Sequence, residues 1–376
     1  MAAQSLALKR PIDAYIDVSD DACDARIRAA KQRLAGKAVI LGHHYQREEV
    51  YRHADLTGDS LKLSQLASTV EAPYIVFCGV HFMAEVASIL SRPEQVTVLP
   101  DLAAGCSMAD MANLADVERV WRELATVLGS DGTPDSSVTP VTYVNSAADL
   151  KAFCGRHGGI VCTSSNARQV LDWSFERREK VLFFPDQHLG RWTAHTMGMP
   201  RSDMLVWDFR KPFGGHTPEA IRAAKVLLWD GFCSVHQMFK PEHIDAFKLK
   251  HPAAKVISHP ECDIAVCEKS DLVGSTEFIL KTIHAAEPGT RWLVGTELNL
   301  VNRLHEEVKN KGVSVHFMSP MVCMCSTMFR IDPQHLAWTL ENLADGLPVN
   351  QIRVPARDAE PARLALQRML TLSKVD

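Results

Sequence analysis

Lys37–Gln46 reads KAVILGHHYQ, four apolar residues and a glycine that run into a cluster of two histidines, a tyrosine and a glutamine. A short apolar run that stops at a polar cluster is the pattern of a buried parallel strand whose carboxyl end carries chemistry. The pattern returns at Thr139–Leu150 (TPVTYVNSAADL) and at Ala254–Ile264 (AKVISHPECDI). Each copy is followed by a hydroxyl-bearing turn that opens a helix, in 55–67 (DLTGDSLKLSQLA), 159–171 (GIVCTSSNARQVL) and 271–283 (DLVGSTEFILKTI). A strand broken by Gly or Pro comes next, at 74–87, 181–194 and 291–304, and each copy closes on a strand with a cysteine soon after it, at 96–111, 225–239 and 313–329.

One order repeated three times predicts an α/β chain of three similar parallel-sheet αβα units, related by pseudo-threefold symmetry around a central site. The expected boundaries are 1–112, joined by the C-terminal segment 333–376, then 113–238 with insertions, then 239–332. In open parallel sheets ligands collect beyond the carboxyl ends of the strands, so three such ends would share one site.

The whole chain narrows the function classes. It has 376 residues, 46% of them hydrophobic, and a net charge of −4. That balance, without a long Lys/Arg run, argues against nucleic acid or an anionic membrane as partner. The first twenty residues lack an apolar signal region, and no apolar run is long enough to span a bilayer, so a cytoplasmic location is expected. In a reducing cytosol the ten cysteines form no disulfide framework, and no C-x-x-C pair occurs.

The repeat chooses among those cysteines. Equivalent positions are Cys106, Cys233 and either Cys323 or Cys325, each just after a strand where the next helix is expected to start. Zinc normally closes a structural site with four ligands, whereas three thiolates suit a cubane iron–sulfur cluster with one iron left open for substrate. The other cysteines, Cys162 among them, read as packing residues.

The strand-end residues are His43, His44 and Tyr45, then Tyr143 and Asn145, then His259 and Glu261. One histidine at a strand end is usually a capped or solvated group, but three polar clusters at matching places suggest proton transfer. His236 follows Cys233 by three residues and is expected to face the same cavity. Ser60, Ser164, Ser275 and Thr276 sit where helices begin; there they serve either as plain N-caps or as anion sites. No Walker loop or dinucleotide fingerprint is present, so a small substrate with several anionic groups fits better than a nucleotide.

Taken together, GHHYQ, GDSLKLS, PDLAAGCSMAD, YVNS, CTSSNA, HPEC, GST and C-x-x-M-x-R-I make the chain resemble the quinolinate synthase family over nearly its whole length. Two insertions in the middle unit, 128–140 and 196–216, match the longer form of that family. The resemblance implies a [4Fe-4S] cluster held by Cys106, Cys233 and Cys325, with one iron not ligated by cysteine. It implies condensation of iminoaspartate with dihydroxyacetone phosphate to quinolinate, in NAD biosynthesis, with the enzyme that supplies iminoaspartate as a possible partner. Glu261, Tyr45 and His236 then become catalytic. His43, Ser60, Tyr143, Asn145, Ser164, His259, Ser275 and Thr276 become substrate-binding, and His43 rather than His44 aligns with the motif histidine. Two rival readings of the same residues are a zinc hydrolase built on His43, His259 and Glu261, and a non-catalytic small-anion-binding protein.

Overall fold

The computed structural model describes residues 9–129, 133–322 and 324–373. Cys323 and part of the first insertion, 130–132, lie outside the described residues. The chain is α/β, and every strand pair within its three sheets is parallel. The first sheet holds β1 (Ala38–His43), β2 (Leu56–Gly58), β3 (Tyr74–Cys78) and β4 (Val96–Val98), in the order β2-β1-β3-β4. The second holds β5 (Val138–Tyr143), β6 (Ile160–Cys162), β7 (Lys180–Phe184), β8 (Met204–Trp207) and β9 (Val226–Trp229), in the order β6-β5-β7-β9-β8. The third holds β10 (Lys255–Ser258), β11 (Leu272–Val273), β12 (Arg291–Gly295) and β13 (Ser314–Phe317), in the order β11-β10-β12-β13.

With β8 set aside, the three sheets have one topology: the second strand on the edge, then the first, the third and the last. β8 belongs to the insertion 196–216 and adds itself at the outer edge beside β9. The hydroxyl turns differ from the sequence reading in one respect. Each is preceded by a strand of only two or three residues (β2, β6, β11), too short for periodicity to register.

The chain divides into two compact units, Met1–Gly105 with Cys325–Val354, and Cys106–Met324 with Pro355–Asp376. In the first unit the helix Asp20–Leu34 is capped by Ser19 and buries Cys23, Ile27, Ala30 and Leu34, a one-face spacing. That face packs on the helix Pro333–Ala344. An ion-pair node ties the same two helices together. Glu341, 9% exposed, takes both carboxylate oxygens to Arg26 (2.7 and 2.9 Å) and also accepts from Tyr15 (2.6 Å) and Arg10 (2.8 Å).

The C-terminal segment 333–376, expected with the first unit, is split. The helix Ala356–Leu372 packs instead along the helix Ala148–Arg156 and β6, in the second unit. Gly155 is the reason this fit is possible: a Cβ there would lie 1.9 Å from the carbonyl oxygen of Pro361. The glycine buys a backbone-on-backbone approach that a side chain would block.

Two outcomes follow for stability. Gly155→Ala should destabilise the protein by about 1–3 kcal/mol, the usual cost of overpacking, read as a lower urea midpoint. Glu341 carries a lowered pKa, chiefly through its hydrogen bond to Arg26, with burial opposing. Its contribution is therefore present above the unfolded carboxylate range and lost as pH falls through the folded value. Glu341→Gln should cost about 1–3 kcal/mol at pH 7, and the gap to the parent protein should close below about pH 4 in the same urea titrations.

Candidate active site

Within the second unit, four strand ends deliver side chains to one buried network. β10 ends at Ser258, and the next residues turn so that the Glu261 N–H donates to Nδ1 of His259 (3.3 Å). That bond leaves the imidazole proton on Nε2, which lies 3.2 Å from the Ser164 hydroxyl beyond β6. Tyr143, the last residue of β5, donates its hydroxyl to Glu261 Oε1 at 2.5 Å. His236, beyond β9, places Nδ1 2.9 Å from Glu261 Oε2 and stacks on His259 with ring centroids 4.6 Å apart. Glu261, His236 and His259 are all at most 3% exposed.

The electrostatics follow from this packing. Burial alone would raise the Glu261 pKa, but the His236 and His259 imidazoles and the hydrogen bonds from His236 and Tyr143 outweigh it, so the carboxyl sits below the ordinary range. Burial pushes His259 down to about 3, which keeps it neutral at physiological pH. An ionised carboxylate with a phenol on one oxygen and an imidazole on the other is equipped to take up or pass on a proton.

Asn145 lies beyond β5, and Ser275 and Thr276 lie beyond β11. The Asn145 Oδ1 is buried without a hydrogen-bond partner. Ser275 caps the helix Thr276–His284, its hydroxyl accepting from Phe278 N–H at 3.3 Å. In the first unit, His43 ends β1 and its Nδ1 accepts from Tyr45 N–H (3.1 Å), the same i, i+2 device as His259 and Glu261. Ser60 opens the helix Ser60–Ala67, but the cap is Asp59.

The cysteines separate sharply. Of the nine described, Cys23, Cys78, Cys154, Cys162, Cys262 and Cys267 are buried, while Cys106, Cys233 and Cys325 are the three that reach partial exposure. Burial pushes all six of the former thiols upward in pKa, away from the thiolate a metal needs. Cys262 and Cys267 pack in a core with Phe239, Ile244, Val256 and Leu293. The three partly exposed cysteines share a backbone feature. Each carbonyl accepts from the N–H four residues on, Cys106 from Asp110 (3.1 Å), Cys233 from Gln237 (3.0 Å) and Cys325 from Phe329 (3.0 Å). The helix expected after each cysteine is thus a single turn, and Cys325 holds the same position in it as the other two.

Three residues near the network were not singled out from sequence. Asp186 is fully buried and caps the helix Gln187–Thr196 through Leu189 N–H (2.7 Å), while its Oδ2 has no hydrogen-bond partner. Burial and the Glu261 charge raise its pKa well above the ordinary carboxylate value. His188 is buried, and burial with the nearby Arg191 charge lowers it to about 4. Thr296 places its hydroxyl 3.5 Å from His236 Nε2. The signal available was the repeat itself, since Asp186 and Glu297 are the capping carboxylates after the third strands of the second and third copies.

Among the described residues, no helix is long and apolar enough to cross a membrane. The model of the family described as Quinolinate synthetase A protein matches residues 25–371. Among curated relatives, "Quinolinate synthase" of Herpetosiphon aurantiacus is 54% identical over 360 residues, covering 96% of this chain and 95% of that protein. Its counterpart in Rhodopirellula baltica is 52% identical over 374 residues, with 96% and 94% covered. That of Corynebacterium glutamicum is 53% identical over 359 residues, with 95% and 89% covered. With a family match and half-identical relatives both running nearly end to end, across every strand end described above, the chain belongs to the quinolinate synthetase A family.

Proposed function

We propose that the protein is a quinolinate synthase, condensing iminoaspartate with dihydroxyacetone phosphate, with loss of phosphate and two waters, in the cytoplasmic synthesis of NAD. The observation that carries this reading is the coincidence of two independent selections on the cysteines. Repeat position picks Cys106, Cys233 and either Cys323 or Cys325, and partial exposure among the nine described picks Cys106, Cys233 and Cys325. A set of three partly exposed cysteines, each at the start of one helical turn, fits the donor set of a [4Fe-4S] cluster with one iron not ligated by cysteine. When bound, the cluster supplies a Lewis acid for substrate oxygens. In the same reading, 1–112, 113–238 and 239–332 are three similar α/β units.

The protein's own residues then divide the remaining work. Glu261, ionised despite its burial, is the base that removes a substrate proton, with Tyr143 and His236 holding its two oxygens in place. Tyr45 is the proton donor and His236 the group that relays charge to Glu261. His259, neutral with its proton on Nε2, donates rather than accepts towards anions. His43, Ser60, Tyr143, Asn145, Ser164, Ser275 and Thr276 supply further polar contacts for carboxylates and phosphate. Several neutral donors suit a phosphate that has to depart better than one strong cation would.

Two measurements test this. After anaerobic purification, Cys106→Ala, Cys233→Ala and Cys325→Ala should each lose the cluster by iron and acid-labile sulfide analysis, while Cys162→Ala keeps it; a brown, active Cys233→Ala protein would overturn the ligand set. Glu261→Gln should keep the cluster and lose about 10²–10⁴ in quinolinate formation from the two substrates, the usual loss for a removed general base.

A further inference from the structure

Cys233, His236 and Glu261 form a second kind of donor set inside the same network. Their Sγ, imidazole and carboxylate atoms all lie within 4.8 Å of one another, one ligand atom per residue. We infer that, in protein lacking the cluster, these three side chains bind a single Zn²⁺ ion, and that this ion and the cluster exclude each other at Cys233. The competition rests on the cluster reading above; the ion site stands on its own geometry.

Donor chemistry comes first. One thiolate, one imidazole and one carboxylate are the three ligand types zinc accepts, and three protein ligands with a fourth position open is the arrangement of reactive zinc sites. Ligand atoms around tetrahedral zinc sit about 3.5 Å apart, given metal–ligand distances of about 2.0–2.3 Å. His236 Nδ1 and Glu261 Oε2 are already 2.9 Å apart. That pair would have to open by about 0.6 Å to reach the tetrahedral spacing, and Cys233, in the partly exposed segment between β9 and its single helical turn, would complete the set. Two negative ligands also match a divalent ion, so the filled site would bury no net charge.

Second, the outer atoms of the two buried ligands are already held. Glu261 Oε1 accepts from Tyr143, which leaves Oε2 for the ion. His236 Nε2 faces the Thr296 hydroxyl, which leaves Nδ1, 2.9 Å from Glu261 Oε2, for the ion. The face of the same ring is fixed by His259. Outer partners of this kind fix ligand orientation in metal sites, and they are present here before any metal arrives. Zinc also outcompetes ferrous iron for mixed nitrogen, sulfur and oxygen donors, so iron availability during cluster assembly decides which metal Cys233 receives.

Cobalt(II) is the probe, since it reports both geometry and thiolate ligation. Added without air to the full-length chain freed of its cluster, it should bind at one equivalent with tetrahedral visible bands and a thiolate charge-transfer band, and Zn²⁺ should displace it. Cys233→Ser should abolish the charge-transfer band. His236→Ala or Glu261→Gln, if circular dichroism shows a folded chain, should weaken binding by more than the roughly 10–100-fold that a lost outer partner costs. Cys106→Ala should leave cobalt affinity within about twofold while losing cluster assembly. That separates this site from an ion held among the three cysteines. Dependence on Cys106 with indifference to His236, or the absence of a thiolate band, would overturn the site. Zinc-loaded protein that takes up iron and sulfide as readily as metal-free protein would overturn the exclusion. Failure of metal-free wild-type protein to assemble a cluster would instead defeat the cluster reading, with the cobalt titrations unaffected.

Discussion

A carboxylate 3% exposed at the end of β10 sets the terms for the network around it. An ionised Glu261 in that position costs several kcal/mol of lost hydration unless both oxygens are satisfied. The satisfaction comes from far along the chain, from Tyr143 at the end of β5 and from His236 beyond β9. His259 supports it by accepting the Glu261 N–H and by stacking on His236. Each of these groups can arrive only because parallel strands end on the same side, so the topology of the second and third sheets and the charge state of one residue are a single constraint.

Asp186 shows how much those partners matter. It is as buried as Glu261 and feels the same network, yet one oxygen is used in capping a helix and the other has no hydrogen-bond partner. Burial and the neighbouring negative charge accordingly push it upward, while the imidazoles and the phenol hold Glu261 down. Two carboxyls in one environment are driven apart by their hydrogen bonds rather than by depth. Such pairs mark the acid and base positions of active sites.

Much of this was legible in sequence because the repeat turned faint local patterns into mutually supporting ones. The strands ending at His43, Tyr143 and Ser258 could be read from short apolar runs, and the family motifs could be read from the residues after them. Three features were not legible. β2, β6 and β11 are too short to carry a period, so only pairing with their neighbours reveals them. The helix Ala356–Leu372 was placed with the wrong partner, since only three dimensions show that Gly155 leaves room for Pro361. Asp186, His188 and Thr296 escaped because capping residues and a strand-end threonine look ordinary until their burial is known.

The three copies also show how one scaffold supports unlike chemistry. At the first strand's end each copy presents residues two apart: His43 and Tyr45, Tyr143 and Asn145, His259 and Glu261. In the first and third copies the later residue's N–H is bonded to the histidine Nδ1, at 3.1 and 3.3 Å, so the backbone turn is the same while the side chain differs. A tyrosine at that position can give up a proton reluctantly, an asparagine can only orient, and a glutamate can accept. In those two copies the turn is held by backbone and histidine, so the later side chain can differ without rebuilding the strand. All three copies share the single turn that opens at a partly exposed cysteine, so one fixed framework carries different side chains at its strand ends.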